Sequence, residues 1–172
     1  MAALLLVRHG ETEWNRTRRF QGHADPPLNE TGQEQARALA AELAGEPLAF
    51  VYASDLARTR ETAEIVAAPH GVPVVTEPDL REIDVGSWMG LTREEVDGRE
   101  WDGETREAHS ERVLGAIRRI AARHEGDTVL IVTHGGCIRR LFEATGRGDR
   151  PAPACCETFR VVTEEGTFRG ID

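Results

Sequence analysis

The sequence predicts an α/β fold with a mainly parallel central sheet. Two observations carry this prediction. Segments with strand-like and helix-like apolar spacing alternate along the chain, as they do in parallel α/β proteins. In addition, Ala3–Val7 is a continuous apolar run and Val129–Thr133 is apolar up to its last residue, which is typical of strands buried on both faces. The 172 residues contain no repeat, linker or low-complexity tract, so a single domain over residues 1–172 is expected.

The first half of the chain contains three predicted strands and two predicted helices. The strands cover Ala3–Val7, Leu48–Ala53 and Val72–Val75. The first helix opens at the TGQE sequence of Thr31–Glu34, which has the pattern of a capping box. The second helix begins at Leu56, and Ser54 and Asp55 are its expected cap.

The second half starts with a weakly periodic segment. Proline and several glycines between Glu77 and Gly103 predict loops, with one short helix after Leu91. Apolar residues three and four positions apart then predict helices at Ser110–His124 and Ile138–Thr145, on either side of the strand Val129–Thr133. An edge hairpin is predicted at the end of the chain, from Thr158–Val162 and Thr167–Ile171.

The composition excludes several function classes. All 21 basic residues are arginine, so a lysine Schiff base and a phosphate-loop lysine are both excluded. The net charge of −9 argues against nucleic acid or an anionic membrane as the main partner. The three cysteines lack zinc-site spacing and include an adjacent pair, which indicates a reducing compartment. Without a signal-peptide pattern or an apolar run of about 18 residues, a soluble cytoplasmic protein is expected.

The most informative feature is a pair of histidines at strand ends. His9 follows the apolar run LLLV after one arginine, His134 follows VLIVT, and a glycine comes directly after each histidine. Because ligands of open α/β sheets bind beyond the carboxyl ends of the strands, the two histidines are expected at one crevice if these strands are neighbours. Arg8 adjoins the first histidine, and Arg58 and Arg60 lie in the helix after the second strand. Since guanidinium groups bind phosphate oxygens in a bidentate manner, the pattern favours a dianionic ligand.

Two other interpretations of these histidines remain open at this point. A histidine at a strand end is commonly a hydrogen-bonded structural residue rather than a catalyst. A metal site needs a third protein ligand, and an arginine beside a ligand histidine would repel the cation, which disfavours a metal centre. No organic cofactor or metal is implied by these residues.

The motifs around the histidines resemble those of the histidine phosphatase superfamily, in its phosphoglycerate-mutase-like branch. LVRHGETEWN is followed in order by YASDLARTRETAE, LREIDVGSWMG and VTHGG, between residue 4 and about residue 141. The four motifs in this order are highly specific. The resemblance implies a three-layer sandwich with helices on both sides of a mainly parallel sheet. The chain length and the stretch FQGHADPPLNETGQEQA are most similar to α-ribazole phosphatases and broad-specificity phosphatases, which the sequence does not separate.

The resemblance also implies a mechanism of phosphoryl transfer. His9 would be the nucleophile that becomes a phosphohistidine, and a neutral imidazole is a competent nucleophile at neutral pH. Glu82, in the LREID motif, would protonate the leaving oxygen and then activate the water that hydrolyses the phosphoenzyme. The phosphoryl oxygens would be neutralised by Arg8, Arg58 and His134. Further hydrogen bonds to the phosphate are implied for Asn15, Gln21 and the backbone N–H of Gly135.

Other polar and aromatic residues near the motifs have structural interpretations. Asp84 is a second acidic candidate, but the motif favours Glu82 as the proton donor. Trp14 and Trp88 either line the pocket or pack beside it. Loop or ion-pair roles are expected of three charged residues, Glu11, Glu13 and Arg60. Four histidines in polar or loop contexts are expected on the surface, namely His23, His70, His109 and His124, whereas Cys137 is expected to be buried.

The main departure from the family lies after the glutamate motif. Most relatives carry a substantial insertion there, which covers the site and ends in a Gly-Glu-Ser signature. Here Gly103 follows Glu82 by only 21 residues, and the signature reads Gly-Glu-Thr. A shortened lid around residues 85–105 and a more open pocket are therefore expected.

These features together predict a metal-independent phosphomonoester hydrolase that acts on a small phosphorylated metabolite. A mutase must exclude water from its phosphohistidine and needs extra cationic contacts, and the chain has neither a long lid nor the usual lysine. Three alternatives remain: phosphoglycerate-mutase-type transfer, a protein phosphohistidine phosphatase and a non-catalytic phosphate-binding module. The intact set of five catalytic residues argues against the last of these.

Overall fold

A computed structural model describes residues 1–164 and 166–171, and in these residues the chain forms six strands and five α-helices. In chain order the elements are β1 (Ala2–Arg8), α1 (Glu13–Arg16), α2 (Glu30–Glu42), β2 (Leu48–Ala53), α3 (Ala57–Ala67), β3 (Val74–Thr76), α4 (Arg106–Arg123), β4 (Thr128–Thr133), α5 (Gly135–Ala144), β5 (Thr158–Glu164) and β6 (Thr167–Ile171). Short 3-10 helices lie at Leu43–Gly45, Ala68–His70, Pro78–Leu80 and Gly86–Trp88. Among the described residues, none of the helices is both long enough and apolar enough to cross a membrane.

The six strands form one sheet in the order β3-β2-β4-β1-β5-β6. The strands β3, β2, β4 and β1 pair in parallel. The last two strands pair antiparallel, β5 with β1 and β6 with β5. The predicted mainly parallel sheet and its edge hairpin are therefore confirmed.

Side chains of the central strands divide between two apolar layers, one on each face of the sheet. Leu4 and Leu6 of β1 pack in a cluster with apolar residues of α4 and α5. Leu5 and Val7 point to the opposite face and pack with residues of α2 and α3. This alternation is the period of two that a strand requires, and both sets are buried because helices cover both faces. The predicted three-layer sandwich is confirmed.

The start of α2 differs from the prediction. Asn29, rather than the TGQE sequence, caps the helix, and its side-chain oxygen accepts a hydrogen bond of 2.8 Å from the backbone N–H of Gly32. Thr31 therefore lies inside the first turn. The capping-box prediction at Thr31–Glu34 is wrong because asparagine two residues upstream provides the same type of oxygen at the N-cap.

The start of α3 also differs. Leu56 occupies the N-cap and makes no side-chain hydrogen bond to the helix. The expected cap residue Ser54 instead directs its hydroxyl to Thr59 and His134. The first backbone N–H of the helix, that of Ala57, donates to the carboxylate of Asp25 from a distant loop. The predicted cap is wrong because a tertiary contact replaces a local one.

The segment between Glu77 and Gly103 contains turns and two 3-10 helices, and the short helix predicted after Leu91 is not formed. The α4 helix begins at Arg106, earlier than predicted, because Thr105 caps it and accepts a hydrogen bond of 3.2 Å from the N–H of Ala108. The Gly-Glu-Thr signature thus serves as a helix start.

Candidate active site

Three neighbouring strands end at the same edge of the sheet, and a polar residue follows each of them. His9 follows β1, His134 follows β4 and Ser54 follows β2. The strands are paired in parallel up to their last residues, which places the three side chains side by side. The ring centroids of His9 and His134 are 5.2 Å apart. The prediction that both histidines lie at one crevice is therefore confirmed.

The ring of His9 is held in one tautomer by its own loop. His9 is 3% exposed, and its Nδ1 lies 2.7 Å from the carbonyl oxygen of Gly10. Because a carbonyl oxygen only accepts, Nδ1 carries the proton and Nε2 keeps its lone pair. Burial, reinforced by the charges of Arg58 and Arg8, lowers the pKa of His9 well below its ordinary value of 6.5. The ring is thus neutral and nucleophilic at Nε2 around neutral pH.

The loop after His9 needs glycine at position 10. The backbone of α2 passes so close that a Cβ on Gly10 would lie 2.5 Å from the carbonyl oxygen of Gly32. The N–H of Gly10 also donates to the hydroxyl of Thr62 on α3, at 3.0 Å. These contacts hold in place the Gly10 carbonyl group, which determines the tautomer of His9. They explain why a glycine directly follows this histidine.

The second histidine is oriented by a chain of hydroxyl groups. His134 is fully buried, and its Nε2 lies 2.8 Å from the hydroxyl oxygen of Ser54. That hydroxyl lies 2.6 Å from the hydroxyl of Thr59, on α3. Because a serine hydroxyl can either donate or accept, it holds the His134 ring in place in both neutral tautomers. Burial, then the charge of Arg58, lowers the pKa of His134 well below 6.5.

The two motif arginines are held by backbone carbonyl groups rather than by carboxylates. Arg8 donates from Nη1 to the carbonyl oxygen of Pro153 at 2.6 Å. Arg58 donates from Nη1 to Ala24 at 2.7 Å and from Nη2 to Gly22 at 2.8 Å. Burial lowers the pKa of Arg58 to about 10, so its guanidinium remains charged at neutral pH. Among the described residues, neither guanidinium forms an ion pair with a carboxylate.

Three buried nitrogen atoms of this cluster have no hydrogen-bond partner among the described residues. They are Arg8 Nε, Arg58 Nε and His134 Nδ1. Leaving a buried polar atom unpaired costs roughly 1–3 kcal/mol, so most such groups in proteins are satisfied. Two of the three belong to cations and the third can donate as N–H. The cluster is suited to an anion with several acceptor oxygens.

Glu82 places its carboxylate at the first turn of α5. One carboxylate oxygen accepts a hydrogen bond from the N–H of Ile83 and the other from the N–H of Gly136, each at 2.9 Å. A Cβ on Gly136 would lie 2.1 Å from the nearer carboxylate oxygen, so only glycine leaves room for this arrangement. The motif indicates Gly135 but not Gly136, whose role depends on a contact with a residue 54 positions away.

The backbone of Glu82 is held by residues to which the motifs assign no role in the site. Its carbonyl oxygen accepts from Arg112 Nη2 at 3.3 Å and lies 2.9 Å from Nε2 of His23. Arg112 on α4 is itself paired with Glu104, the glutamate of the Gly-Glu-Thr signature, at 2.7 Å. This signature thus supports the loop that carries Glu82.

Asn15 and Gln21 lie in the wall of the same cleft. The side-chain oxygen of Asn15 accepts from the N–H of Thr12 at 3.0 Å, and the hydroxyl of Thr12 lies 2.8 Å from the side-chain oxygen of Gln21. Because the oxygen atoms of both amides turn to Thr12, the NH2 groups remain as donors for the cleft. The cleft has a volume of about 310 Å³, which suits a small ligand.

Comparison with known proteins decides the family. Residues 4–154 match the sequence profile of the histidine phosphatase superfamily, branch 1. The chain belongs to the histidine phosphatase superfamily. The matched range contains all five residues that the motif resemblance selects for catalysis, and the prediction of this family is confirmed.

Several relatives of this histidine phosphatase are similar over most of their length. Phosphoglycerate mutase-like protein 4 of Arabidopsis thaliana is 39% identical over an alignment of 191 residues, gaps included. The alignment covers 99% of this chain and 80% of the relative. Phosphoserine phosphatase 1 of Hydrogenobacter thermophilus is 38% identical over 158 residues, covering 83% and 75% of the two chains. Among solved structures, YhfR of Bacillus stearothermophilus superposes with a TM-score of 0.92 at 34% identity, over 98% and 95% of the two chains.

Two histidines of this histidine phosphatase are buried, contrary to the surface location predicted for them. His124 is 9% exposed, lies 2.8 Å from the hydroxyl of Tyr52 and stacks on Phe50 with ring centroids 3.9 Å apart. His109 is 1% exposed and lies 3.5 Å from the sulfur of Cys137, which is buried as predicted. Both predictions are wrong. His109 lies in α4 and His124 directly after it, both on the side that contacts the core, and the polar residues next to them in the sequence give no sign of this burial.

Glu82, His109 and Cys137 form a small cluster behind the cleft. Their potential ligand atoms lie within 4.8 Å of one another, with His109 Nε2 3.8 Å from Glu82 Oε1. The sulfur of Cys137 also lies 3.2 Å from the carbonyl oxygen of Arg81 and 3.5 Å from that of Leu80, contacts that a protonated thiol makes as a donor. Burial raises the pKa of the thiol, which favours the same protonated form. The thiol is therefore hydrogen-bonded to the backbone, whereas the 3.8 Å between His109 and Glu82 exceeds hydrogen-bond distance.

The remaining sequence candidates make structural contacts. Asp84 accepts a hydrogen bond from the N–H of Gly86, Glu11 accepts from Asn29, and Glu13 pairs with Arg16. Trp88 packs against Phe20 and Trp101, with centroids 5.3 Å and 4.9 Å apart. Arg60 is the exception: it is exposed on α3, and the ion pair expected of it is not found among the described residues. These contacts shape the loops around the cleft.

The two buried site histidines make folding sensitive to acid. His9 and His134 have ordinary pKa values near 6.5 when the chain is unfolded, and lower values when it is folded. Below pH 6.5 the unfolded chain therefore binds more protons than the folded chain. The stability is fully present above this pH and is lost as the pH falls towards the pKa values of the two histidines in the folded state. The free energy of unfolding is expected to fall by up to roughly 1.4 kcal/mol per pH unit for each histidine.

Urea unfolding in phosphate-free buffer at pH 7.5, 6.5 and 5.5 measures this dependence. His9→Asn should have a shallower slope than the wild type, while His70→Asn, away from the cleft, should keep the wild-type slope. Equal stability of the wild type at pH 7.5 and 5.5 would contradict the buried neutral state of the two histidines.

Proposed function

We propose that this histidine phosphatase is a phosphomonoester hydrolase that forms a phosphohistidine on His9. The observation that carries the proposal is the cluster of unpaired nitrogen atoms of Arg8, Arg58 and His134 beside a neutral imidazole whose Nε2 has a free lone pair. A phosphate dianion supplies the acceptor oxygens that those nitrogens lack, and its phosphorus is the electrophile that the imidazole can attack.

In the first step, Nε2 of His9 attacks phosphorus and the bond from phosphorus to the ester oxygen breaks. Glu82, in its protonated form, gives its proton to the leaving oxygen, so the alcohol departs neutral. The products are a phosphohistidine and the Glu82 carboxylate. That carboxylate is stabilised by the N–H groups of Ile83 and Gly136.

In the second step, the Glu82 carboxylate takes a proton from a water molecule as the water oxygen attacks phosphorus. The nitrogen–phosphorus bond breaks, and its electron pair returns to Nε2 of His9. Inorganic phosphate leaves, and both residues regain their starting protonation states. The same carboxyl group is thus the general acid of the first step and the general base of the second.

Charge on the transferring phosphoryl group is stabilised by groups that are already in place. Arg8 and Arg58 are held by backbone carbonyls, and His134 is held by Ser54, so little reorganisation is needed during the reaction. The N–H of Gly135 lies at the N-terminus of the ten-residue helix α5, where backbone amides and the helix dipole favour an anion. Asn15 and Gln21, which also line the cleft, complete the set.

Hydrolysis is favoured over mutase activity by the short segment at residues 85–105, which acts as a reduced lid. Within this fully described segment, Val85 is the residue that lines the cleft, and the rest packs on itself or contacts residues outside the segment, such as Phe20, Arg19 and Arg112. Water therefore reaches a phosphohistidine readily. The related proteins named phosphoserine phosphatase and phosphoglycerate mutase-like protein support a small phosphorylated metabolite as the substrate.

Phosphate release from a set of phosphomonoesters in EDTA tests this function. 4-Nitrophenyl phosphate, phosphoserine, 3-phosphoglycerate and α-ribazole phosphate are suitable probes. We expect chelator-resistant release from at least the aryl ester, because each catalytic step uses protein groups alone. Interconversion of 2- and 3-phosphoglycerate without net release would indicate a mutase instead. A folded protein that releases phosphate from none of the esters would contradict the proposal.

A further inference from the structure

Two cationic side chains of the cleft, Arg19 and Arg139, take no part in the mechanism. Arg139, on α5, lines the cleft and is exposed, and it forms no hydrogen bond or ion pair with the residues that the structure describes. Arg19, also in the cleft wall, is engaged differently: it donates to the carbonyl oxygen of Gly90 at 2.6 Å and lies 3.4 Å from the carboxylate of Glu95. Of the four cleft arginines, Arg139 is the one whose whole guanidinium is available to a ligand.

The position of Arg139 on α5 places it beside the leaving-group end of the substrate. Gly135 and Gly136 line the cleft in the first turn, and Arg139 follows them by four and three residues, which puts all three on one face of the helix. Long side chains in helices lean back towards the N-terminus, so the guanidinium is directed to the turn that contacts Glu82. Since Glu82 protonates the leaving oxygen, the alcohol portion of the substrate lies on this side.

Apart from the groups assigned to the phosphate and the two further arginines, the lining of the cleft is largely apolar. It includes Phe20, Ile83, Val85 and Ala152. These side chains offer no partner to a charged group on the alcohol. Because Arg19 is already engaged with Gly90 and Glu95, a second negative charge on the substrate would be paired best by Arg139.

We propose that Arg139 forms a subsite for a carboxylate on the leaving alcohol, so that small phosphomonoesters carrying a carboxylate are preferred over matched esters without one. The inference rests on the proposed phosphatase function and adds a specificity-determining residue to it. A single planar guanidinium matches the two oxygens of a carboxylate in a bidentate manner. A second phosphate group would bring up to two negative charges to this one free cation, which makes a carboxylate the better match.

Two esters with the same three-carbon skeleton test the subsite. 3-Phosphoglycerate carries a carboxylate where glycerol 3-phosphate carries a hydroxymethyl group, and the measured quantity is the ratio of their kcat/KM values. The wild type should prefer 3-phosphoglycerate. Arg139→Gln should reduce the ratio by about 10- to 100-fold, the usual range for a charge-assisted hydrogen bond, and Arg139→Lys should restore part of it. Arg123→Gln, an exposed arginine in the last turn of α4, controls for the change in net charge.

Three results would overturn the subsite. They are a wild type that prefers glycerol 3-phosphate, an Arg139→Gln variant whose ratio is unchanged (including one that loses activity equally on both esters), and an Arg123→Gln control whose ratio falls as much as that of Arg139→Gln. The kcat/KM of the Arg139→Gln variant is also measured for 2,3-bisphosphoglycerate. A loss confined to this bisphosphate, with no loss for 3-phosphoglycerate, would assign Arg139 to a second phosphate and overturn the carboxylate assignment. Failure of the phosphatase function itself is distinguishable, because the wild type would then hydrolyse neither ester nor 4-nitrophenyl phosphate.

Discussion

Replacing His9 with alanine is expected to lower kcat for 4-nitrophenyl phosphate by at least ~10³-fold, the scale on which removal of a covalent nucleophile acts. The imidazole is the group at this edge of the sheet with a free lone pair beside unpaired cationic donors. Alanine leaves Arg8, Arg58 and His134 in place, so the variant should still bind phosphate or vanadate. Steady-state release of 4-nitrophenol measures the first effect, and equilibrium binding of vanadate measures the second.

His70→Ala is a matched control for the His9 substitution, because His70 lies in a 3-10 helix after α3 and does not line the cleft. It should retain turnover close to that of the wild type. Circular dichroism and thermal unfolding establish that both variants are folded. A folded His9→Ala protein within tenfold of wild-type turnover would rule out nucleophilic catalysis by this residue.

Substituting Glu82 with glutamine should have an effect that depends on the leaving group. An alkyl alcohol leaves poorly without a proton, so kcat/KM for an alkyl phosphate should fall by roughly 10²- to 10⁴-fold. A nitrophenolate leaves without protonation, so phosphorylation of His9 by 4-nitrophenyl phosphate should fall much less. Hydrolysis of the phosphoenzyme still needs a base, and the intermediate should therefore accumulate in this variant. Rapid-mixing experiments that resolve the burst of nitrophenol from the steady state separate the two steps.

Asp84→Asn is the matched control for Glu82→Gln, since Asp84 is the neighbouring acid and its carboxylate accepts from the backbone of Gly86. It should show no dependence on the leaving group. Equal losses of kcat/KM for alkyl and aryl esters in Glu82→Gln would contradict a proton-donor role. The same selective loss in Asp84→Asn would transfer that role to the second acid.

The positions of the two histidines could be predicted because they depend on local sequence and on a general property of parallel sheets. A continuous apolar run identifies each buried strand, and residues that follow such strands meet at one edge. The structure places β1 and β4 next to each other, which brings His9 and His134 together. The family motifs select the arginines and Glu82 in the same way, from residues close together in the chain.

The contacts that orient these groups could not be predicted, because they join residues far apart in sequence. The local pattern assigns Ser54 to a helix cap, whereas its hydroxyl lies 2.8 Å from His134, 80 positions away. Gly136 leaves room for the carboxylate of Glu82, and nothing in its immediate sequence indicates this contact. His109 has a polar context and is nevertheless buried behind Glu82. Each case is a tertiary contact that overrides a local preference.

Direct detection of the phosphoenzyme tests the central claim. The Glu82→Gln variant is mixed with 4-nitrophenyl phosphate, quenched in alkali within milliseconds and digested for mass spectrometry. The mechanism predicts one phosphate per chain on the peptide that contains His9, stable in alkali and lost in mild acid, as expected of a nitrogen–phosphorus bond. A phosphate carried by any other residue, or nitrophenol release at the wild-type rate with no phosphate on the protein, would contradict the phosphohistidine mechanism.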